Sequence, residues 1–332
     1  MSQDAYTRYP TQGGYLGFGG SYELKKRWDI AYDSRFSINR PRNESNNLST
    51  FAQQRTNNVF AQNLTSVGNK GLNYNITQSI TLKHKLDSAG SEWSTDASYT
   101  FAPNNTDQNF STTFISPRTF LLTGEGELDN TFRFLTAQSN LVKRFPKAFT
   151  VEAGIKTGRV WFDNDTKYFF TTTGDRVKDP VRTATFRYEE AINAGYVQAS
   201  KTYKGITLKT GVRVEQTIMT GRQTVPTDTT FSIRRTDPFP YVYLSRPVMR
   251  IAGYDLRAYL VYRRTITRPA YEYLNPAVRY VDPYLFDQGN PALRPQFTTN
   301  YEANISFDER PIIAIGVNET KDIFTQVLYV AD

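Results

Sequence analysis

From position 28 to 39 the chain alternates. Trp28, Ile30, Tyr32, Phe36 and Ile38 fall on one parity; Asp29, Ala31, Asp33, Arg35, Ser37 and Asn39 fall on the other. Successive side chains of a strand point to opposite sides, so the segment reads as a strand with an apolar face backed by a polar one. The split recurs with Leu72, Tyr74, Ile76, Ile80 and Leu82, and again with Trp93, Thr95, Ala97, Tyr99 and Phe101, against Glu92, Ser94, Asp96, Ser98 and Thr100. Further copies are Phe186, Tyr188, Ile192, Ala194 and Tyr196, then Ile206, Leu208, Val212 and Val214, then Tyr254, Leu256, Ala258, Leu260 and Tyr262. No comparable 3.6-residue pattern appears, so the chain is read as all-β, with about twelve or thirteen strands, the last uncertain.

The connections sort into two kinds. Short ones are expected at 25–27, 87–91, 143–148, 201–205, 246–253 and 308–311. Long ones, rich in Asn, Thr, Asp, Gly and Pro, are expected at 41–71, 103–130, 163–185, 220–237 and 267–298. Polar stretches of that composition suit solvent-exposed loops. Loops of this length are uncommon in compact soluble domains, whereas alternating short and long connections are the signature of an outer-membrane barrel. Strands of about 10–13 residues are long enough to cross a bilayer when tilted. Trp28 and Trp93 each open a strand after a short turn, on the apolar face, where an aromatic girdle would stand at the membrane interface. The fold class predicted is therefore a transmembrane antiparallel up-and-down β-barrel. It is read as incomplete, because an unclosed sheet would leave edges unpaired in hydrocarbon.

Composition removes alternatives. The 332 residues include no Cys and a single His, so disulfides, cysteine chemistry and His-pair metal sites are excluded. Nothing approaches an apolar run of about 18 residues, which excludes a transmembrane helix. Aromatics at 14% argue against disorder. The net charge of +8 is not gathered into a stripe; Lys25-Lys26-Arg27 and Lys143-Arg144 are read as solvated turns, and nucleic acid is not an expected partner. The polar start of the chain has neither the basic nor the apolar region of a secretory signal peptide. Residues 325–332 look like part of a strand, so residues 1–332 read as a partial barrel domain without a plug domain or signal peptide.

One stretch is more specific. Arg264, Arg268-Pro269-Ala270-Tyr271, Leu274-Asn275-Pro276, Asp282-Pro283, Gly289-Asn290-Pro291, Leu293 and Pro295 follow one another over some thirty residues. Together they resemble the barrel signature of TonB-dependent receptors. Gly211-Val212-Arg213-Val214-Glu215-Gln216-Thr217 is similar to another strand of that family, and 318–323 with Gln326-Val327 to its following strand. Gln296 departs from the family pattern, which often has Glu there. The motif is read as mainly structural: its prolines fix φ and withhold ladder donors, and Gly289-Asn290 makes a turn that tolerates positive φ. Arg268 and Asp282 are read either as a loop–wall ion pair or as ligand groups. Tyr271, Tyr273, Tyr280, Tyr284 and Phe286 give the loop an aromatic surface suited to a ligand or to packing.

The resemblance implies import of a bulky, scarce solute (siderophore, cobalamin or glycan) across a Gram-negative outer membrane. It implies outer-membrane lipid as surroundings, and a plug domain and the TonB complex as partners through segments outside this chain. Asp29, Asp33, Arg35, Glu92, Asp96, Arg213 and Glu215 are expected on the lumenal face. A non-transporting barrel acting as anchor, adhesin or assembly partner is the alternative, followed by a soluble all-β carbohydrate-binding module. No cofactor is expected, and no enzyme: the carboxylate pairs Glu189-Glu190 and Glu125/Glu127 lack a convergent acid, base and nucleophile.

Overall fold

The computed structural model describes residues 2–53, 56, 58–251, 254–276, 279–280, 286–307 and 310–328. Nearly all of them enter one antiparallel sheet in which strands follow each other in sequence order, an up-and-down arrangement. β1 (Ser2–Arg8) and β2 (Thr11–Leu24) lie end to end along β3 (Trp28–Ala52). One register runs through both, with Ser2 opposite Thr50 and Leu24 opposite Trp28. Pro10 has no N–H and interrupts the strand, yet its carbonyl still accepts from the Arg42 amide at 2.9 Å. The sheet continues through β4 (Val59–Lys85), β5 (Glu92–Ser116), β6 (Phe120–Phe145), β7 (Phe149–Phe170), β8 (Val177–Tyr203), β9 (Ile206–Val225), β10 (Thr229–Ile251) and β11 (Tyr254–Thr267). A one-turn helix α1 (Tyr271–Leu274) and a two-residue pair, β12 (Arg279–Tyr280) with β13 (Phe286–Asp287), precede β14 (Gln296–Phe307) and β15 (Arg310–Lys321). Among the described residues β15 and the β1–β2 strand are the edges, and the sheet does not close on itself.

The short turns expected around 25–27, 87–91, 143–148 and 201–205 fall within those ranges, and their geometry explains the tightness; of the turn expected at 246–253, residues 246–251 are the end of β10, and 252–253 and 308–309 lie outside the described residues. Lys25 and Lys26 have φ of 51° and 55°, Lys147 and Ala148 62° and 53°, Lys204 and Gly205 47° and 81°. Two successive residues with positive φ match the right-handed twist of the flanking strands. Lysine is not a usual residue there, so the pattern rather than an Asn-Gly signal marks these turns. Lys143 and Arg144 are not in a turn; they are the end of β6.

Four of the five expected long loops are strand instead. β3 to β10 run for 20 to 27 residues, and the connections at the far rim shrink to 53–58, 117–119, 171–176 and 226–228. The sequence there lacks an apolar alternation because pairing needs backbone amides, not an apolar face. Polar side chains pair across it instead: Thr65 with Thr112 at 3.1 Å, and Ser66 donating to Asn46 Oδ1 at 2.6 Å. The N-terminal Tyr/Gly-rich stretch is likewise strand. In the other direction, β15 ends at Lys321, Asp322 turns the chain with φ of 57°, and 323–328 is not strand.

The apolar parity forms a continuous exposed outer face: Ile155 is 68% exposed, and Leu208, Val212, Leu260 and Ile315 are exposed with it. Trp28 and Trp93 stand on that face at the short-turn rim, 5.9 Å apart edge to face, and Trp93 Nε1 donates to Ser139 Oγ at 2.8 Å. At the other end of the band, Trp161 lies opposite Arg133. Beside it run ion pairs Arg133–Asp163 (2.6 Å), Arg187–Asp163 (3.2 Å) and Arg187–Asp165 (2.9 Å). β8 departs from the expectation. Phe186 and Tyr188 are buried, at 0% and 3% exposure, and Ala194 with them, because the even positions of this strand face inward, while Val197 on the other parity is 50% exposed. Period two defines two faces of a strand but not which one is outside; here the aromatic residues line the interior and meet a loop.

In the turn between β4 and β5, Asp87 accepts from Lys143 Nζ at 2.8 Å and from the amides of Ala89 and Ser91 at 2.9 and 3.0 Å. Lys143, then Ser91, hold its carboxyl well below the usual carboxylate range. A depressed folded pKa contributes stability fully above the unfolded value of about 4, and loses it as pH falls below that. Asp87→Asn is therefore expected to lower the unfolding midpoint at neutral pH, with a deficit that shrinks steadily on acidification below about pH 4. Thermal unfolding of both proteins across that range checks it; a pH-independent deficit contradicts it.

Candidate functional site

Between β11 and β14 the chain leaves the sheet and folds back over its concave face. Arg268 makes the first attachment. Its guanidinium donates to Glu215 at 2.7 Å and to Thr217 Oγ1 at 2.9 and 3.2 Å, both on β9. Glu215 also accepts from Arg213 at 2.6 Å. The two stretches singled out in the sequence thus meet: the Arg of one grips the Glu and Thr of the other. Arg268 thus makes a loop–wall ion pair, with Glu215 as its partner. Positions 213, 215 and 217 share a face because they are two apart on a strand. Pairing three charges in a half-buried place satisfies each and fixes how the loop leaves the wall.

Hydrophobic packing makes the second attachment. Leu274 at the end of α1 is fully buried against Phe186, Tyr188 and Met219, with Leu293 packed on the same cluster. Tyr271 packs on the inward side chains of β6, β7 and β8, its ring 4.2 Å from Phe162, 6.2 Å from Phe132 and 6.3 Å from Tyr188. Three aromatics meeting one ring at these centroid separations form a packed aromatic cluster.

The loop is also tied to itself. The Gly289 amide donates to Asn275 O at 2.9 Å, and the Asn290 amide to Tyr273 O at 2.6 Å, so the Gly-Asn-Pro block lies on the Leu-Asn-Pro block. A Cβ at position 289 would sit 2.4 Å from Asn275 O. Glycine is needed for this close approach; it is not among the described residues with positive φ, which corrects the expected reason. Asn290 Oδ1 accepts from the Ala292 amide at 2.9 Å, and Pro269 and Pro295 are buried at the two ends of the loop. Pro276 and Pro291 are half-buried. Tyr273 is half exposed and lies 6.4 Å from Phe324, while Phe286 is half-buried in β13. Asp282, Pro283 and Tyr284, and the side chain of Tyr280, lie outside the described residues.

Loop and wall enclose a cavity of about 2380 Å³, lined by the concave faces of β3 to β8, by Tyr271, Tyr273 and Phe286, and by 324–328. The polar parity expected inside is largely satisfied locally. Arg35 pairs with Asp33 at 2.7 Å, Lys85 with Asp29 at 3.7 Å, and Asp96 accepts from Thr81 at 2.9 Å. Glu92 is on the same face, opposite Lys85. Outside that face, Glu125 and Glu127 share an ion pair with Arg176, at 3.2 and 2.5 Å. Glu190 accepts from Tyr188 at 2.8 Å. Among the described residues no group of three or more acidic or His side chains is arranged to hold a metal. Two features escape a reading of the sequence alone. Arg235 and Asp237, at 2.6 and 2.8 Å, repeat the two-apart ion pair of Arg213 and Glu215, a spacing that by itself does not distinguish a pair from two solvated charges. A row of asparagines across five strands is visible only once the register is known.

The family model described as the outer membrane protein beta-barrel family matches residues 84–332. No curated protein matches the chain. Among solved structures, the ferripyoverdine receptor of the Pseudomonas aeruginosa outer membrane superposes with a TM-score of 0.46 at 11% identity, over 92% of this chain and 45% of that one. The ferric yersiniabactin uptake receptor of Yersinia pestis gives 0.42 at 11%, over 95% and 55%. The copper transporter OprC gives 0.43 at 10%, over 92% and 51%. The chain spans about half the length of these solved chains.

Removing Arg268 leaves Glu215 with Arg213 alone. Arg268→Ala is expected to cost about 2–3 kcal/mol, below the usual loss for a broken buried pair because one cation remains. In a cycle with Glu215→Gln the two losses are expected to be less than additive. Denaturant unfolding of the four proteins measures this; full additivity removes the ion pair as the loop's anchor. Gly289→Ala is expected to leave the sheet intact but open the loop, read as faster proteolysis within 268–295 at unchanged unfolding midpoint.

Proposed function

The chain belongs to the outer membrane protein β-barrel family, and we propose that it supplies part of the barrel of a TonB-dependent receptor that imports a bulky, scarce solute. The observation that carries this reading is the junction of Arg268 with Glu215 and Thr217. Two stretches, each similar to that receptor family, are some fifty positions apart and form one contact set. An Arg-Pro loop clamped to the wall and closed on itself is a rigid inward structure, which suits a lumen that must be filled and specific rather than an open pore. The exposed apolar face then meets lipid, with Trp28 and Trp93 at the periplasmic interface and Trp161 with its ion pairs at the outer one. Closure by further strands, a plug and the TonB complex belong to this proposal as partners of the chain, and the work done is transport rather than catalysis.

The test uses the full-length protein purified in detergent. It is expected to bind the periplasmic domain of TonB, and after reconstitution into a planar bilayer to hold no steady conductance. A permanently conducting pore, or no association with TonB, overturns the reading in favour of a non-transporting barrel or a simple porin.

A further inference from the structure

On the concave face, Asn39, Asn73, Asn104, Asn130 and Asn164 are successive cross-strand partners from β3 to β7. Each occupies an inward parity of its strand, and all five line the cavity. Their spacing is that of the sheet, about 4.8 Å per strand. One step toward the short-turn rim, Phe132 and Phe162 are direct partners, with Tyr271 against them. The row of amides therefore borders this aromatic cluster at its β6–β7 end, while the matching positions of β3, β4 and β5 are Ser37, Asn75 and Ala102.

Beyond the row the wall formed by β3 to β7 carries no charge of its own; Arg182 of β8, paired with Asp179 at 3.5 Å, reaches over the Phe110 ring. Every inward position of β3 to β7 between the asparagines and the far rim is Asn, Gln, Ser, Thr, Gly, Pro, aliphatic or aromatic. The outward positions of the same segments carry Arg42, Lys70, Glu125, Glu127 and Asp165. Charge is thus sorted to one face of a sheet whose two faces are otherwise alike. Within the row Asn164 Nδ2 donates to Asn130 Oδ1 at 2.5 Å and Asn104 Oδ1 accepts from Thr106 at 3.3 Å, while Asn73 Oδ1, Asn43 Oδ1, Asn47 Oδ1 and both amide atoms of Asn63 are buried without a side-chain partner.

We propose that this wall is a binding site for a neutral oligosaccharide, lying across the strands along the asparagine row. The proposal deepens the transport reading and rests on it for its physiological sense. An amide offers both donors and an acceptor, which answers vicinal hydroxyls, and aromatic faces answer the C–H faces of pyranose rings. A pyranose repeat is close to the strand spacing, so consecutive sugars meet consecutive asparagines. An anionic ligand finds no cation along the row, and an extended peptide presents its amides at a different repeat.

Binding is measured on the full-length protein in detergent, without TonB. The probes are hexasaccharides of neutral glucans, xylans, mannans and galactans, with oligogalacturonate as anionic comparison and an uncharged peptide library. At least one neutral hexasaccharide is expected to bind, at least tenfold more tightly than oligogalacturonate. Asn104→Leu and Asn130→Leu are each expected to weaken it at least tenfold, with unheated gel mobility kept as a check on folding. If those variants fail to fold, Asn104→Ser and Asn130→Ser, which keep a polar atom, are expected to give the same ordering more weakly. Binding of none of the neutral sugars, preference for the anionic sugar or for peptides, or indifference to both substitutions overturns the proposal. Because TonB is absent, failure here is distinct from failure of the transport reading.

Discussion

The sheet of this chain rests on the need to pair backbone N–H and C=O groups in register along strands that run, from β3 to β10, for 20 to 27 residues. Once β3 and β4 are in register, the parity of each side chain is set, and the setting passes from strand to strand across the sheet. A slip of one position would exchange the two faces everywhere beyond it. This is why Trp28 and Trp93 stand together at one rim, and why five asparagines from five strands fall into one row.

The same constraint defines where the chain can do something else. Strands committed to backbone pairing leave only side chains to shape the interior, and the segment 268–295 is the main departure from the sheet. It is held by three kinds of interaction. Arg268 pairs with Glu215, Leu274 and Tyr271 pack on inward aromatics, and Gly289 lies against the backbone at Asn275. The aromatic residues of β8 face inward because the loop gives them something to bury against. An apolar exterior and an apolar patch under the loop thus coexist on strands that look identical in sequence.

Two surfaces with different chemistry result. The outer one is apolar over a band and charged beyond it, as suits lipid followed by water and headgroups. The inner one carries locally paired charges near the short-turn rim and neutral amides above. That division gives one sheet an apolar exterior and a polar interior.

Period-two patterning by itself determined the all-β class, the antiparallel order and the short turns. It did so because a face set against lipid or core must be uniformly apolar along the strand. It failed for the far halves of β3 to β10, where water bathes both faces and pairing leaves no hydrophobic trace; Asn43 to Asn47 read as loop and are strand. It misplaced Phe186 and Tyr188, since period two distinguishes two faces without saying which is outside. The motif residues around Arg268 and Gly289 were visible as a string, but their meaning was not. Only the tertiary structure brought Arg268 to Glu215, showed that Gly289 is needed for proximity rather than for turn geometry, and aligned Asn39, Asn73, Asn104, Asn130 and Asn164. Those are relations between distant positions, and the register that creates them is a property of pairs of strands rather than of any one.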